Sequence, residues 1–323
     1  PISTYNINVT VGAFNAIEKV GYVLNEPLKM IYYVLPEKQQ GAESFLIEAE
    51  EYLNFYAEKF GQYPWIEEKF GLVHTPYLGM EHQTINAYGN NYKKTKRGYD
   101  FILFHEAGHE WWGNYISVAD WSDFWIHEGI CTYAESMYIE EKFGLESAKN
   151  FIDERFKKNI TNTAPIVPER DSNANLESGN DVYYKGAHAL HMLRYIIGKE
   201  TLWASLKEYL QMPKELPDNQ TSTDEFISLI EENSGMKLDW FFNQYFFKKE
   251  LPTLKKLEKT INNKKYVDLW WEEVDFKMPV EINYFSFDGK RYKKLDLDNK
   301  PKRFVIPSDS KLIIDPNRWL LYK

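Results

Sequence analysis

Cysteine is almost absent. Cys131 is the single one in 323 residues, so no intrachain disulfide can form. It falls in an apolar stretch and reads as a small buried residue. Long hydrophobic runs are missing too: nothing reaches the roughly 18 apolar residues that a membrane-spanning helix needs. Positive charge is in deficit, with 39 Lys and Arg against 48 Asp and Glu, a net charge of −9. That balance argues against a nucleic-acid partner and for ordinary solubility. The short basic run Lys93-Lys94-Thr95-Lys96-Arg97 reads as a solvated loop. No internal repeat or low-complexity segment stands out. The chain starts at Pro1, without methionine and without a signal peptide, so it reads as a mature product or an excised fragment and says little about compartment, which stays open between cytoplasmic and periplasmic for a soluble chain.

What is present is a chain that is 43% hydrophobic and 16% aromatic, a globular composition. Its length suffices for two domains and a large core.

One stretch carries chemistry: Phe104-His105-Glu106-Ala107-Gly108-His109-Glu110-Trp111-Trp112. It contains H-E-x-x-H. On a helix His105 and His109 share one face, the spacing two imidazoles need to hold one zinc ion. Glu106 points to the side of that pair, placed to take a proton from an attacking water. A third ligand is wanted, and Glu128 in Trp125-Ile126-His127-Glu128-Gly129 is the next candidate, with eighteen residues between it and His109. Glu135 lies two turns further along the same face and suits the outer N–H of a metal-bound histidine. H-E-x-x-H alone also occurs in charged surface turns; the carboxylate spacing and the aromatic surroundings favour the metal. Trp111, Trp112, Trp121 and Trp125 read mainly as core. His127, about 100° around the helix from Glu128, is not expected to bind the same ion.

In chain order, Tyr5–Val11 alternates as a strand does, and Met30–Leu35 is an apolar strand ended by Pro36. Residues 42–60 follow a helical period stopped by Gly61, and Phe70–His74 reads as a buried strand. Pro76–Thr84 reads as a short edge strand or loop, whose free N–H and C=O groups suit pairing with a peptide. Asn86–Gly98 reads as loop. Helices are expected over 146–158, 184–197, 200–211, 223–233 and 238–248, with a polar stretch from Thr161 to Asp181 between the first two. From Leu251 the character changes to short strands, at Leu269–Trp271, Val280–Tyr284, Arg303–Ile306 and Leu312–Ile314, with Asp288-Gly289 as a hairpin signal. They read as a small β-sandwich.

With those residues in place, the chain resembles the zinc aminopeptidases related to aminopeptidase N. His105-Glu106-x-x-His109 with Glu128-Gly129 matches that family's zinc signature. Leu78-Gly79-Met80-Glu81-His82 is similar to its G-x-M-E-N motif, Tyr183-Tyr184-Lys185-Gly186-Ala187 to its Y-x-K-G segment, and Phe241-Phe242-Asn243-Gln244-Tyr245 to its F-F-x-Q-W segment. Together they cover roughly residues 70 to 252. The resemblance implies an α+β fold: a thermolysin-like catalytic domain over 26–250 with a mostly helical C-terminal lobe, followed by the β-sandwich at 251–323. Residues 1–25 would then be the tail of an N-terminal β domain whose bulk is missing.

It also implies one Zn²⁺ per chain on His105, His109 and Glu128, and peptide substrates with a free N-terminus. Tyr183 would stabilise the oxyanion, since a phenol with a pKa near ~10 keeps its proton. Without the family it reads as a core aromatic. Glu81 would pair with the substrate's α-ammonium, while the Gly79-Met80 backbone would pair with the substrate chain; Glu81's plainer reading is an exposed strand residue. Leu78, His82 and His127 depart from the family pattern and bear on the peptide-binding edge more than on the metal. His82 reads as a packed loop histidine, His74, His188 and His191 as structural, and Lys185 as structural or supporting. Two other readings stand beside the aminopeptidase: a thermolysin-type zinc endopeptidase, and a non-catalytic fragment with a residual zinc site.

Overall fold

The computed structural model describes residues 2–214, 216–287 and 289–323. Its first half is a five-stranded sheet with helices on one flank. Strands β1 (Asn15–Val23) and β2 (Glu26–Val34) form an antiparallel hairpin in unbroken register from Asn15↔Val34 to Val23↔Glu26. Leu24 and Asn25 turn it, both at positive φ, as a two-residue hairpin loop requires. Helix α1 (Ala42–Phe60) follows, then β3 (Phe70–His74), β4 (Gly79–Met80) and β5 (Asn86–Tyr88). The sheet order is β1-β2-β3-β5-β4, which leaves β4 on the edge.

Two expectations fail here. Tyr5–Val11 is not a strand: Thr4–Asn6 make a 3-10 turn, and Val9 and Val11 are 83% and 91% exposed. Alternation alone forms no strand unless the segment pairs with a neighbour, and Tyr5–Val11 joins none of the described sheets. Asn86–Gly98 is not all loop, because Asn86–Tyr88 supplies β5 between β3 and β4.

Helix α2 (Phe101–Gly108) starts where Asp100 caps it, its carboxylate accepting from the backbone N–H of Ile102 at 3.1 Å and Leu103 at 3.2 Å. Helix α3 (Trp125–Phe143) lies beside α2 and ends at Gly144. Tyr56 of α1 stacks on Trp111 at 5.4 Å and donates from its hydroxyl to the Phe104 carbonyl at 3.1 Å. Position 108 must therefore be glycine: a Cβ there would sit 2.4 Å from the Tyr56 Oη.

Beyond α3 come α4 (Leu145–Phe151), a π-helical turn at Ile152–Phe156, and α5 (Ala174–Glu177) within the polar stretch. Then follow α6 (Tyr184–Ile197), α7 (Lys199–Gln211), α8 (Thr223–Ser234) and α9 (Asp239–Tyr245). A two-residue parallel pairing joins β6 (Ser117–Val118) to β7 (Gln220–Thr221). Lys185 is structural: its buried Nζ donates to the carbonyls of Lys248 at 3.2 Å and Lys249 at 3.1 Å, tying α6 to the turn after α9.

The C-terminal part consists of two three-stranded antiparallel sheets. One joins β8 (Thr253–Ile261), β9 (Lys264–Glu272) and β12 (Lys302–Pro307); the other joins β10 (Met278–Ser286), β11 (Gly289–Leu297) and β13 (Ile313–Ile314). The expected strands at 269–271, 280–284 and 303–306 fall within β9, β10 and β12, and the one at 312–314 covers β13. β8 and β11 were not expected, because they are rich in lysine and mostly exposed. The hairpin between β10 and β11 closes with Ser286 opposite Gly289; Asp288 of the expected turn lies outside the described residues. Trp319 docks this part on α6, stacking on His191 at 4.6 Å and Tyr195 at 5.4 Å.

Candidate active site

α2 and α3 bring three donors to one point. His105 Nε2 lies 3.0 Å from Glu128 Oε2 and 3.2 Å from His109 Nε2, and His109 Nε2 lies 3.3 Å from the same carboxylate oxygen. A tetrahedral cation with bonds of about 2.0–2.1 Å sets its donors roughly 3.3 Å apart, so this triangle fits zinc. Proton bookkeeping agrees. His109 Nδ1 is 2.9 Å from the Trp112 carbonyl, which can only accept, so the proton sits there and the Nε2 lone pair faces the triangle. His105 Nδ1 faces Glu135 Oε1 at 3.7 Å, and Glu135 accepts from the Tyr99 hydroxyl at 3.1 Å. His109 is the residue that caps α2 rather than one within it, which the i, i+4 spacing tolerates.

Glu106 and Glu81 complete a second buried group with His109, their donor atoms all within 4.8 Å. Burial pushes the carboxyls of Glu106 and Glu81 above the ordinary range; a divalent cation in the triangle would pull them back. Glu128 moves the other way, because His109 and His105 outweigh the burial that would raise it. Glu81 is not an exposed strand residue: it is 4% exposed, and its Oε1 has no hydrogen-bond partner.

Its position is set by a network that the sequence did not announce. Glu110, buried, accepts from the Thr84 backbone N–H at 3.0 Å and from Asn86 Nδ2 at 3.1 Å. Asn114 Nδ2 donates to Glu110 at 3.3 Å and to the Glu81 carbonyl at 3.0 Å. These bonds lock the end of α2 to the loop after β4.

Gly79 and Met80 lie on the sheet edge as expected. The Tyr183 hydroxyl donates to Glu128 Oε1 at 3.1 Å, and burial drives its pKa far up, so it stays protonated. The triangle residues, Glu106, Glu135, Tyr183 and the Gly79–Glu81 stretch line one cavity of about 400 Å³. Trp121, expected as core, lines it too and is partly exposed, while Trp111, Trp112 and Trp125 are buried as core. Tyr5, expected in a strand, also reaches the cavity, its hydroxyl 3.3 Å from His127 Nδ1; Asn6 donates to Asn114. His127 Nε2 accepts from the Val118 N–H at 3.0 Å, so both its nitrogens are engaged away from the triangle. His82 is buried and does not line the cavity. No local signal marked Tyr5, Glu110, Asn114 or the cavity-lining Arg155, which arrive by tertiary contact.

Known proteins resemble this chain in sequence and in fold. The chain is 25% identical over 253 residues to aminopeptidase M1-D of Oryza sativa subsp. japonica, covering 72% of this chain and 28% of that one. It is 26% identical over 228 residues to endoplasmic reticulum aminopeptidase 1 of Mus musculus, covering 65% and 24%. It thus spans about a quarter of the length of these curated relatives. Among solved structures it resembles Legionella pneumophila aminopeptidase A, with a TM-score of 0.75 at 14% identity over 94% of this chain and 37% of that one. It also resembles the M1 zinc metallopeptidase of Deinococcus radiodurans, with a TM-score of 0.60 at 20% identity over 75% of this chain and 53% of that one. At these identities the structures speak for the fold. Residues 46–245, well over half of the chain, match the peptidase family M1 domain, and the chain belongs to that family.

Proposed function

We propose that this chain carries the catalytic centre of a zinc aminopeptidase, which hydrolyses the first peptide bond of substrates with a free N-terminus. The observation that carries the reading is the conjunction of the donor triangle with Glu81. A buried carboxylate oxygen without a partner, beside a metal-binding triangle, suits a substrate ammonium. An internal peptide segment offers no such cation, so Glu81 favours the aminopeptidase over an endopeptidase.

His105, His109 and Glu128 would hold the zinc ion. When bound, zinc supplies Lewis acidity, polarising the scissile carbonyl and acidifying water. Glu106 accepts the proton of the attacking water and delivers it to the leaving amine nitrogen. Tyr183 turns its O–H from Glu128 toward the oxygen on which negative charge develops. Glu81 pairs with the α-ammonium and so fixes which bond lies over Glu106. Gly79 and Met80, on an unpaired strand edge, hold the substrate backbone extended. The walls of Trp121, Phe124 and Tyr5 exclude water from these charges.

The test is hydrolysis of aminoacyl fluorogenic amides, each free and N-acetylated, with and without a zinc chelator. Chelator-sensitive turnover of the free amides alone is expected. Turnover of acetylated substrates would make the protein an endopeptidase, and no turnover by zinc-loaded protein would make this chain a non-catalytic fragment.

A further inference from the structure

The cavity is crowded with carboxylates: Glu81, Glu106, Glu128 and Glu135 all line it. Among the described lining residues Arg155 is the one lysine or arginine. Its guanidinium carbon lies 4.8 Å from the ring centroid of Phe101 and 5.3 Å from that of Tyr184, so two aromatic rings hold it. Such contacts fix the guanidinium plane and leave its N–H edge free. No carboxylate of the described residues pairs with that edge within 4.0 Å. The acids nearby are engaged elsewhere: Glu135 with Tyr99 and His105, Glu154 with Arg97 at 3.2 Å, and Asp153 with Arg318 at 3.1 Å.

The backbone points the same way. Arg155 sits in the π-helical turn Ile152–Phe156. Single π turns are rare and re-aim side chains, and they gather at functional positions. Arg155 also borders a second cavity of about 480 Å³, whose lining includes Lys93, Lys94, Lys96 and Arg97 beside Glu135 and Glu154. Arg155 therefore stands between the acidic centre and a lining in which lysine and arginine outnumber the acids.

The two flanks of the triangle differ. Glu81 and Glu106 group with His109, whereas Glu135 groups with His105 and lines the Arg155 cavity. With the substrate ammonium at Glu81, the chain beyond the scissile bond leaves across His105 toward Arg155. We propose that Arg155 binds a carboxylate on the leaving-group side of the substrate, carried either by an acidic side chain or by the C-terminus of a short peptide, and so selects peptides of that class. This rests on the aminopeptidase reading above. The pairing is a bidentate guanidinium–carboxylate contact in a partly buried site, where such bonds are strongest.

The experiment compares four free-amine tripeptides that share an N-terminal residue: a neutral amide, the same peptide with a free C-terminus, and amidated forms with Glu or Gln in second place. kcat/KM is measured on zinc-loaded wild type and Arg155→Gln. Wild type is expected to favour a carboxylate-bearing peptide over its neutral counterpart by on the order of 10- to 100-fold, mostly in KM. Whichever pair shows the preference identifies the source of the carboxylate. In Arg155→Gln that ratio falls to near one. A merely structural Arg155 would lower all four peptides together and leave the ratios intact, overturning the proposal. Wild-type ratios near one, with good turnover of the neutral amide, would overturn it while sparing the aminopeptidase reading. If wild type cleaves none of them, that reading fails instead. Calorimetric binding of the same peptides to zinc-loaded Glu106→Gln then decides: a carboxylate preference erased by adding Arg155→Gln supports the proposal, and equal affinities overturn it.

Discussion

Gly79 sits opposite the proposed base, and adding one methyl group there tests how closely the edge strand and Glu106 are fitted. An alanine Cβ at position 79 would lie 2.5 Å from Glu106 Oε1, 3.0 Å from its Cδ and 2.8 Å from Ile102 Cγ2. Ordinary contact begins near 3.4 Å, so the carboxylate must retreat by about 1 Å, and Ile102 by several tenths of an ångström. The backbone of Gly79 is not in the left-handed region, so alanine adds no conformational strain. The stability cost is that of modest overpacking, about 1–2 kcal/mol, because the carboxylate is the far end of a flexible side chain. Catalysis suffers more, since that flexible end is the reacting atom: a 1 Å misplacement costs on the order of 100-fold in kcat. The assay is kcat on the best free aminoacyl amide, alongside zinc content and a thermal melt. Gly79→Ala is expected to keep one zinc per chain and a cooperative melt while losing about two decades of kcat. A folded, zinc-loaded variant within threefold of wild type would refute the placement of Glu106 as the base.

Glu106→Gln should retain zinc and lose roughly 100- to 10,000-fold in kcat, read by metal analysis beside the amide assay. Tyr183→Phe should lose about 100-fold in kcat with little change in KM, because its hydroxyl acts on charge that develops late; a change confined to KM would contradict that role. Glu81→Gln should narrow the gap between free and N-acetylated substrates, mainly by raising KM for the free ones, measured as the ratio of kcat/KM values. Acid stability should respond to His188 and His191. Both rings are buried, their four nitrogens have no hydrogen-bond partner, and burial with the cations Lys157, Lys149 and Arg194 pushes His188 down to about 3 and His191 well below its ordinary value. Between about 3 and the ordinary 6.5 the unfolded chain binds the proton that the folded chain refuses, so stability falls as pH drops through that window. The slope is about 1.4 kcal/mol per pH unit for each histidine, checked by urea unfolding at several pH values in excess chelator, and it should flatten in His188→Leu.

How far the sequence reached depends on how local each signal was. The donor triangle was legible because helical periodicity fixes which side chains share a face, so His105, His109, Glu128 and Glu135 could be placed from spacing. Helix α1 and strand β3 were legible because their apolar runs are clean, that of α1 being stopped by Gly61. Glu81 and Tyr183 needed family likeness as well, since neither carries a local mark of chemistry. β8 and β11 escaped because a strand that leaves one face to water can be written in lysine, and Tyr5–Val11 misled because alternation cannot say whether a partner edge exists.

By itself, then, the sequence determined the helices, the donor set and the edge strand that precedes it, all features settled within a few turns of chain. Only the tertiary structure decided that Glu81 is buried with its Oε1 unpaired, that Glu110 and Asn114 hold it there, and that Tyr5 and Arg155 line the same cavity as four carboxylates. Each of those depends on residues tens of positions apart meeting in space, and such meetings are fixed by how sheet and helices pack, not by any period along the chain.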